Sequence, residues 1–357
     1  MADPAQIAAE LRNAAAEASR ADGRVVSLDA LRAALGRPAV WLTILLFEVL
    51  LALAPALAYF TWMSGATAHK YAPESLISNL GANFRFDHRA GLDALGDATG
   101  QMGAVLALIA MLGGCFCAGG WLQAFLERTH GESVRRFFYG GARWFWRFAR
   151  LLLLTLVVLA LCGWLVYGKP WNVLVLQLGL DVPPADFGKL ETLDSEQTVA
   201  MLRFVQTALH ALLVSLVMTW GDYTRTRLAL HDTNSAVWAG LTTAWTIARH
   251  PIRTLRPHAV LFSLELFLVT GLGFFARSVE GDIVRDGRPW ATAVLCATVV
   301  AALVWRVILR GARYHAAVQV SREIVRPIAR PDPWKKTLGG PGGPRYPIGG
   351  DEYAVSM

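Results

Sequence analysis

The sequence predicts an all-α integral membrane protein with six transmembrane helices and both termini in the cytoplasm. Three observations carry that prediction. Only 17% of the 357 residues are charged, against about 25% in ordinary soluble domains. Six apolar stretches of 17 to 26 residues follow one another along the chain, each near the ~20 residues a helix needs to cross ~30 Å of hydrocarbon. Finally, 25 of the 34 Lys and Arg residues fall in segments that such a threading puts on one side, and nine on the other. The basic side is the cytoplasmic one.

Residues 1–37 form a cytoplasmic helical segment. They are polar and Ala-rich with scattered charges, which is not the pattern of a cleavable signal peptide. Ser27 stands where an N-cap would, ahead of Leu28, Leu31 and Leu35 on one helical face. The membrane domain occupies residues 38–325. Its first span runs from Pro38 to Met63, and Pro55 should kink it. The outer loop from Ser64 to Gln101 holds two stretches readable as short surface helices, Pro73 to Ser78 and Phe84 to Leu95.

The second span, Met102 to Phe125, carries Gly113-Gly-Cys-Phe-Cys-Ala-Gly-Gly120, in which small residues four apart allow another helix to approach closely. Next comes the amphipathic segment from Ser133 to Arg150. There Arg136, Arg143, Arg147 and Arg150 gather on one side of a helix, with Phe137, Trp144 and Phe148 on another. The third span, Leu151 to Tyr167, opens with four leucines and so lacks the alternation of a barrel strand. The third loop, Lys169 to Thr198, is acidic.

The fourth span, Ala200 to Trp220, ends at Asp222-Tyr-Thr-Arg225-Thr-Arg227. Asp222 and Arg225 can pair at i, i+3, which leaves Arg227 for a lipid phosphate or the neighbouring loop. From Asn234-Ser235 to Pro251, the residues Trp238, Leu241, Trp245 and Ala248 form a second amphipathic stripe. Spans five and six cover Ala259 to Phe275 and Ala291 to Ile308, and the last helix should run on to about Val325. Residues 326–357, with Gly339-Gly-Pro-Gly-Gly-Pro344, read as a disordered cytoplasmic tail.

Spans 1, 3 and 5 are therefore each preceded by an amphipathic helix suited to the cytoplasmic interface, its basic face toward anionic headgroups. The layout fits three copies of one unit: interfacial helix, span up, outer loop, span down. Trp41, Trp62, Trp121, Trp164, Trp171, Trp220, Trp290 and Trp305 sit near span ends, where headgroups favour amphipathic rings. All four cysteines lie within spans, which excludes an extracytoplasmic disulfide framework.

Three ionisable residues, Glu48, His210 and Glu265, come out near mid-membrane depth. If their spans adjoin they could share a proton or bind a cation; otherwise each makes an interhelical hydrogen bond that holds the bundle together. They lack the spacing of a metal motif on one helix. Gly271-Leu-Gly273-Phe-Phe-Ala276 matches a dinucleotide fingerprint but lies in a span with no strand before it. No phosphate-binding loop, nucleophile elbow or C-x-x-C is found, so no catalytic residue, metal or cofactor is expected.

Two stretches carry a resemblance: Arg136 to Phe148, and Asp222-Tyr-Thr-Arg-Thr-Arg-Leu-Ala-Leu-His-Asp through Ala248-Arg-His-Pro-Ile-Arg-Thr-Leu255. They resemble a group of uncharacterised bacterial six-span inner-membrane proteins, loosely akin to the membrane domains attached to some glycerophosphodiester phosphodiesterases. The resemblance implies the bacterial inner membrane. It implies no phosphodiesterase activity, because these residues contain no such catalytic domain.

The expectation is a non-enzymatic bundle that organises lipid or a protein partner, which could be a second copy, through its basic cytoplasmic helices. Arg136, Arg143, Arg147, Arg150, Arg225 and Arg227 are the candidate headgroup contacts. The alternative is a proton- or ion-linked transporter using Glu48, His210 and Glu265. The net charge of +7 does not call for nucleic acid: by this threading the cytoplasmic side carries +12, the outer side −3 and the spans −2.

Overall fold

The computed structural model describes residues 23–68, 86–126, 133–177, 179, 196–231, 233–286 and 289–324. These form eight helices: α1 (Gly23–Leu35), α2 (Pro38–Thr67), α3 (Arg89–Leu126), α4 (Ser133–Tyr167), α5 (Glu196–His231), α6 (Ala236–Arg249), α7 (Pro251–Asp286) and α8 (Pro289–Ile324). A short turn at Lys169–Trp171 and a π-helical stretch at Asn172–Gln177 extend α4. Six of these helical segments are long and apolar enough to cross a membrane. The stretches expected at Pro73 to Ser78 and in the tail at 326–357 lie outside the described residues.

The helices outrun the apolar stretches that announced them. With 38 residues, α3 is about 57 Å long at 1.5 Å per residue, nearly twice the thickness of a hydrocarbon layer. A hydropathy window registers only the apolar part, whereas the hydrogen-bond ladder continues through any run without a breaker. Of the short surface helix expected from Phe84 to Leu95, the part from Arg89 onward is accordingly the start of α3.

The same reasoning settles the helices that precede the spans. Pro38 is the first residue of α2 and Pro251 the first of α7, so α1 and α6 end as separate helices. No proline separates Ser133 from Tyr167. The expected third lead-in helix and third span are therefore one continuous helix, α4. Ser235 caps α6 by accepting from Trp238 N at 3.2 Å. Ser27, by contrast, lies inside α1 rather than at its cap. That helix buries Val26, Ala30 and Ala34 and leaves Leu28 and Leu35 exposed, because a face of small residues lets it lie close against α7 and α8. Pro55 stays within an unbroken α2.

Packing is concentrated at one end, where α1 lies, α3 ends and α4 begins; this is called the basic end below. The core there joins Val40 and Ile44 of α2, Trp121, Leu122 and Phe125 of α3, Phe137, Trp144 and Phe148 of α4, Leu228 of α5 and Leu261 of α7 around α8. The last of these touches α1, α2, α3, α5 and α7. Two glycine pairs bring α3 and α4 into backbone contact. A Cβ on Gly119 would stand 2.6 Å from Gly140 O, and one on Gly120 would stand 2.2 Å from the Phe137 ring. Trp121 and Trp171, expected at headgroups, are instead buried. Trp121 stacks on Phe125 and fills the space above Gly311.

Toward the other end the helices part. Of the most apolar eighteen residues of each span, between 6% and 22% are buried inside the protein. What contact remains there is largely within hairpins: Trp62 against Gly91 between α2 and α3, and Gln206 Nε2 donating to Val166 O at 2.9 Å between α5 and α4.

Candidate functional site

The basic end holds a buried charge network built by α5, α7 and α8. Two residues beyond Trp220, Asp222 accepts from Arg225 Nη1 at 3.0 Å, the pair that their i, i+3 spacing predicts. The second Asp222 oxygen lies 3.8 Å from Arg313 Nε and 3.9 Å from His258 Nε2. Arg313 also donates through Nη1 to Glu265 and stacks over the Phe262 ring at 4.4 Å. One arginine of α8 thus bridges a carboxylate on α5 and another on α7.

Around this network several polar groups bond along or across the helices, but Arg225 Nε, Arg313 Nε and both ring nitrogens of His258 are buried without a hydrogen-bond partner. Tyr223 donates to Thr254 O at 2.9 Å, one turn before Pro257 interrupts the α7 ladder. Thr224 and Thr226 donate back to the carbonyls of Trp220 and Asp222. With Asp222, Glu265, Arg225 and Arg313 paired two and two, the network avoids the cost of several kcal/mol that an uncompensated buried ion carries. The cleft beside it, bounded by Tyr223, Arg227, Thr243 and Ser321, measures about 20 Å³, room for one water and not for an organic substrate.

Two further arginines continue the line of Arg313. Arg306, Arg310 and Arg313 fall at i, i+4 and i+7, one face of α8. From Val307 to Val320 every residue of α8 except Arg310 is buried or half-buried, whereas Arg306 and Arg310 are exposed. This face looks into the bundle: Arg313 reaches α5 and α7, and a Cβ on Gly114 of α3 would lie 4.0 Å from Arg310 Nη2. Neither Arg306 nor Arg310 makes a hydrogen bond or ion pair with any described residue.

The three ionisable residues expected at mid-depth are distributed differently. Glu265 belongs to the network through Arg313. Glu48 is half-buried on α2, next to Phe47, whose ring closes over Gly113, and within electrostatic reach of the Cys117 thiol. His210 packs against the Tyr167 ring at 5.0 Å. Twelve residues, about 18 Å along α5, separate it from Asp222. Among the described residues no hydrogen bond or ion pair joins the three to one another, and no three His, Cys, Asp or Glu side chains gather as metal ligands would.

The arginines expected at headgroups fall into two groups. Arg225 is held by Asp222, with 12% of its side chain exposed. Arg227 donates to Thr242 O and Thr246 Oγ1 of α6 at 3.4 and 3.2 Å, and Arg136 is buried. Arg143 and Arg147 lie toward the surface, with their guanidinium carbons 5.0 and 5.2 Å from the Trp144 ring, and Arg150 is exposed. Arg37, between α1 and α2, stacks on Phe125 at 4.4 Å; burial, then the charge of Arg136, lowers its pKa.

Sequence reasoning missed Arg313 and His258. The i, i+4, i+7 arginines of α8 were the available signal, hidden because that stretch reads as a basic flank. Comparison with protein-family models, curated proteins and solved structures gives no match to this chain.

Proposed function

We propose that this chain is a non-enzymatic, multi-pass protein of the bacterial inner membrane, with both termini in the cytoplasm, that organises anionic lipid around its basic end. The observation carrying this reading is a collar of exposed aromatics around the packed end, with half-buried Arg143 and Arg147 and exposed Arg150 among them. Buried Ala236, Ala239, Gly240 and Thr243 hold α6 against the bundle, while Trp238, Leu241 and Trp245 face outward, the two tryptophans 63% and 70% exposed. On α4, Trp146 is 72% exposed beside Arg143, Arg147 and Arg150. Indole rings favour the headgroup layer, and each basic side chain near an anionic surface contributes about 1 kcal/mol. The distribution of Lys and Arg supports the orientation.

The test is lipid selectivity at the protein boundary. In reconstituted vesicles, spin-labelled phosphatidylglycerol should be motionally restricted in preference to phosphatidylcholine. The preference should fall when Arg143, Arg147 and Arg150 are changed together to Gln and when salt is raised. Equal selectivity in that variant would remove the basis of the reading.

A proton- or ion-linked transporter is the second reading, favoured by the Asp222, Arg313 and Glu265 network that ties three helices together where the bundle closes. It uses Glu265 but leaves His210 about 18 Å away along α5. It predicts altered flux in Glu265→Gln at normal expression.

A further inference from the structure

Where the helices part, the faces of α3, α5, α7 and α8 that carry the inward charges change from basic to apolar along their length, a floor of arginine under walls of exposed apolar residues. On the floor are Arg306 and Arg310, exposed, and partnered by no carboxylate of the described residues. Of the carboxylates nearby, Glu265 is taken by Arg313 and Asp222 by Arg225 and Arg313, while Glu48, which shares the neighbourhood of Cys117 with Arg310, forms no ion pair with it. The walls follow from helical periodicity. One and two turns from Cys115, which faces Arg310 and Arg225, stand Met111 and Leu108. One turn from Asp222 stands Met218, one turn from Glu265 stands Val269, and two turns from Arg306 stands Val299. All five are 40% to 58% exposed, although they lie on the faces that carry the inward charges.

From this juxtaposition we infer that the space between α3, α5, α7 and α8 seats one anionic phospholipid of the basic-side leaflet, its phosphate on Arg306 and Arg310 and its acyl chains against Leu108, Met111, Met218, Val269 and Val299. Two arginines with no acid between them complement a phosphate, whose oxygens accept from guanidinium in paired geometry. Apolar walls beside and beyond the charges make a small hydrated anion the poorer fit, since it would leave those walls against water. The orientation is that of an ordinary leaflet lipid, with the head toward the basic end and the chains toward the mid-plane. It therefore enters sideways between hairpins without turning over. This seat goes beyond the collar, which lies on the outside of the bundle and uses none of these residues.

The seat and the collar are separable by experiment. The protein is reconstituted with phosphatidylglycerol and phosphatidylcholine, extracted in mild detergent, and weighed intact by native mass spectrometry. The wild type should retain one phosphatidylglycerol. Changing Arg306 and Arg310 together to Gln should lower that occupancy about tenfold, while the Arg143, Arg147 and Arg150 variant keeps it. Unchanged occupancy in the Arg306→Gln/Arg310→Gln variant, or retention of phosphatidylcholine to the same extent, overturns the proposal.

If that variant does not fold, the wild type decides. Phosphatidylglycerol with a photoreactive group on its chain should label Met111 and Met218 under the same conditions. Labelling confined to the collar around Trp146, Trp238 and Trp245 overturns the seat. Absence of boundary selectivity in the wild type, with retention of the single lipid, would count against the collar alone.

Discussion

The same helices behave in opposite ways at their two ends. Near the basic end Leu122 of α3, Phe148 of α4, Leu228 of α5 and Leu261 of α7 are at most 1% exposed. Farther along those four helices Leu108, Leu161, Leu212 and Phe267 are 57% to 74% exposed. Composition would suggest the reverse, because the packed end holds the buried arginines and the open end is nearly all apolar. The difference follows from the solvent each end meets. In water the removal of apolar surface drives helices together. In hydrocarbon a leucine is equally well placed against a lipid chain, so helices hold only where small residues or polar bonds join them. The glycine contact of α3 with α4 and the Asp222, Arg313 and Glu265 network are joints of those two kinds.

Substitutions matched between the two ends sharpen the contrast. The largest effect is expected from Arg313→Leu, which leaves Asp222 short of one cation and Glu265 without any. A loss of about 3 to 5 kcal/mol should appear as a collapse of the folded fraction in detergent unfolding, and a loss below about 1 kcal/mol would mean that water reaches the network.

Next comes Leu122→Ala, expected to cost about 2 to 5 kcal/mol by opening a cavity, set against Leu161→Ala, where lipid or detergent fills the gap and the change should stay within about 0.5 kcal/mol. Equal losses at both positions would contradict the division into a packed and an open half.

A smaller difference separates two glycines. Gly140→Ala puts a methyl group 2.2 Å from Gln123 Cβ and 2.7 Å from Gly119 O, contacts that require α3 and α4 to move apart, at about 1 to 3 kcal/mol. Gly163→Ala meets nothing within 4 Å and should stabilise the helix by up to about 1 kcal/mol through propensity alone. Tyr223→Phe, which removes the hydrogen bond to Thr254 O, should cost about 1 kcal/mol. All of these are read as shifts in unfolding midpoint against the wild type.

Much of this was legible in the sequence, and the part that was not has physical causes. The six apolar stretches mark the spans because length and hydropathy are local properties. Asp222 and Arg225 were legible as a pair for the same reason, being three residues apart on one helix. Arg313 and Glu265 are separated by 48 residues on two helices, and only the packing of α7 against α8 brings them together. Depth counted from a helix end placed Glu48, His210 and Glu265 at similar heights, but depth says nothing about which way a side chain faces. The amphipathic stripe of α6 pointed the right residues outward. That of α1 misled, since its three leucines outweigh three small residues in any hydropathy scale while Val26, Ala30 and Ala34 fit the closer contact.

The claim that most needs testing is that the apolar half is open to lipid on its inner face. A nitroxide attached at Met218→Cys, in a chain whose four native cysteines are replaced, reports collisions with dissolved oxygen in a bilayer. Met218 lies on the inward face of α5, one turn from Asp222, and is 40% exposed. Its oxygen accessibility should match that of a label at Leu212, which is 57% exposed. Accessibility as low as that of a label at buried Leu228 would show the helices closed upon one another and would contradict the account.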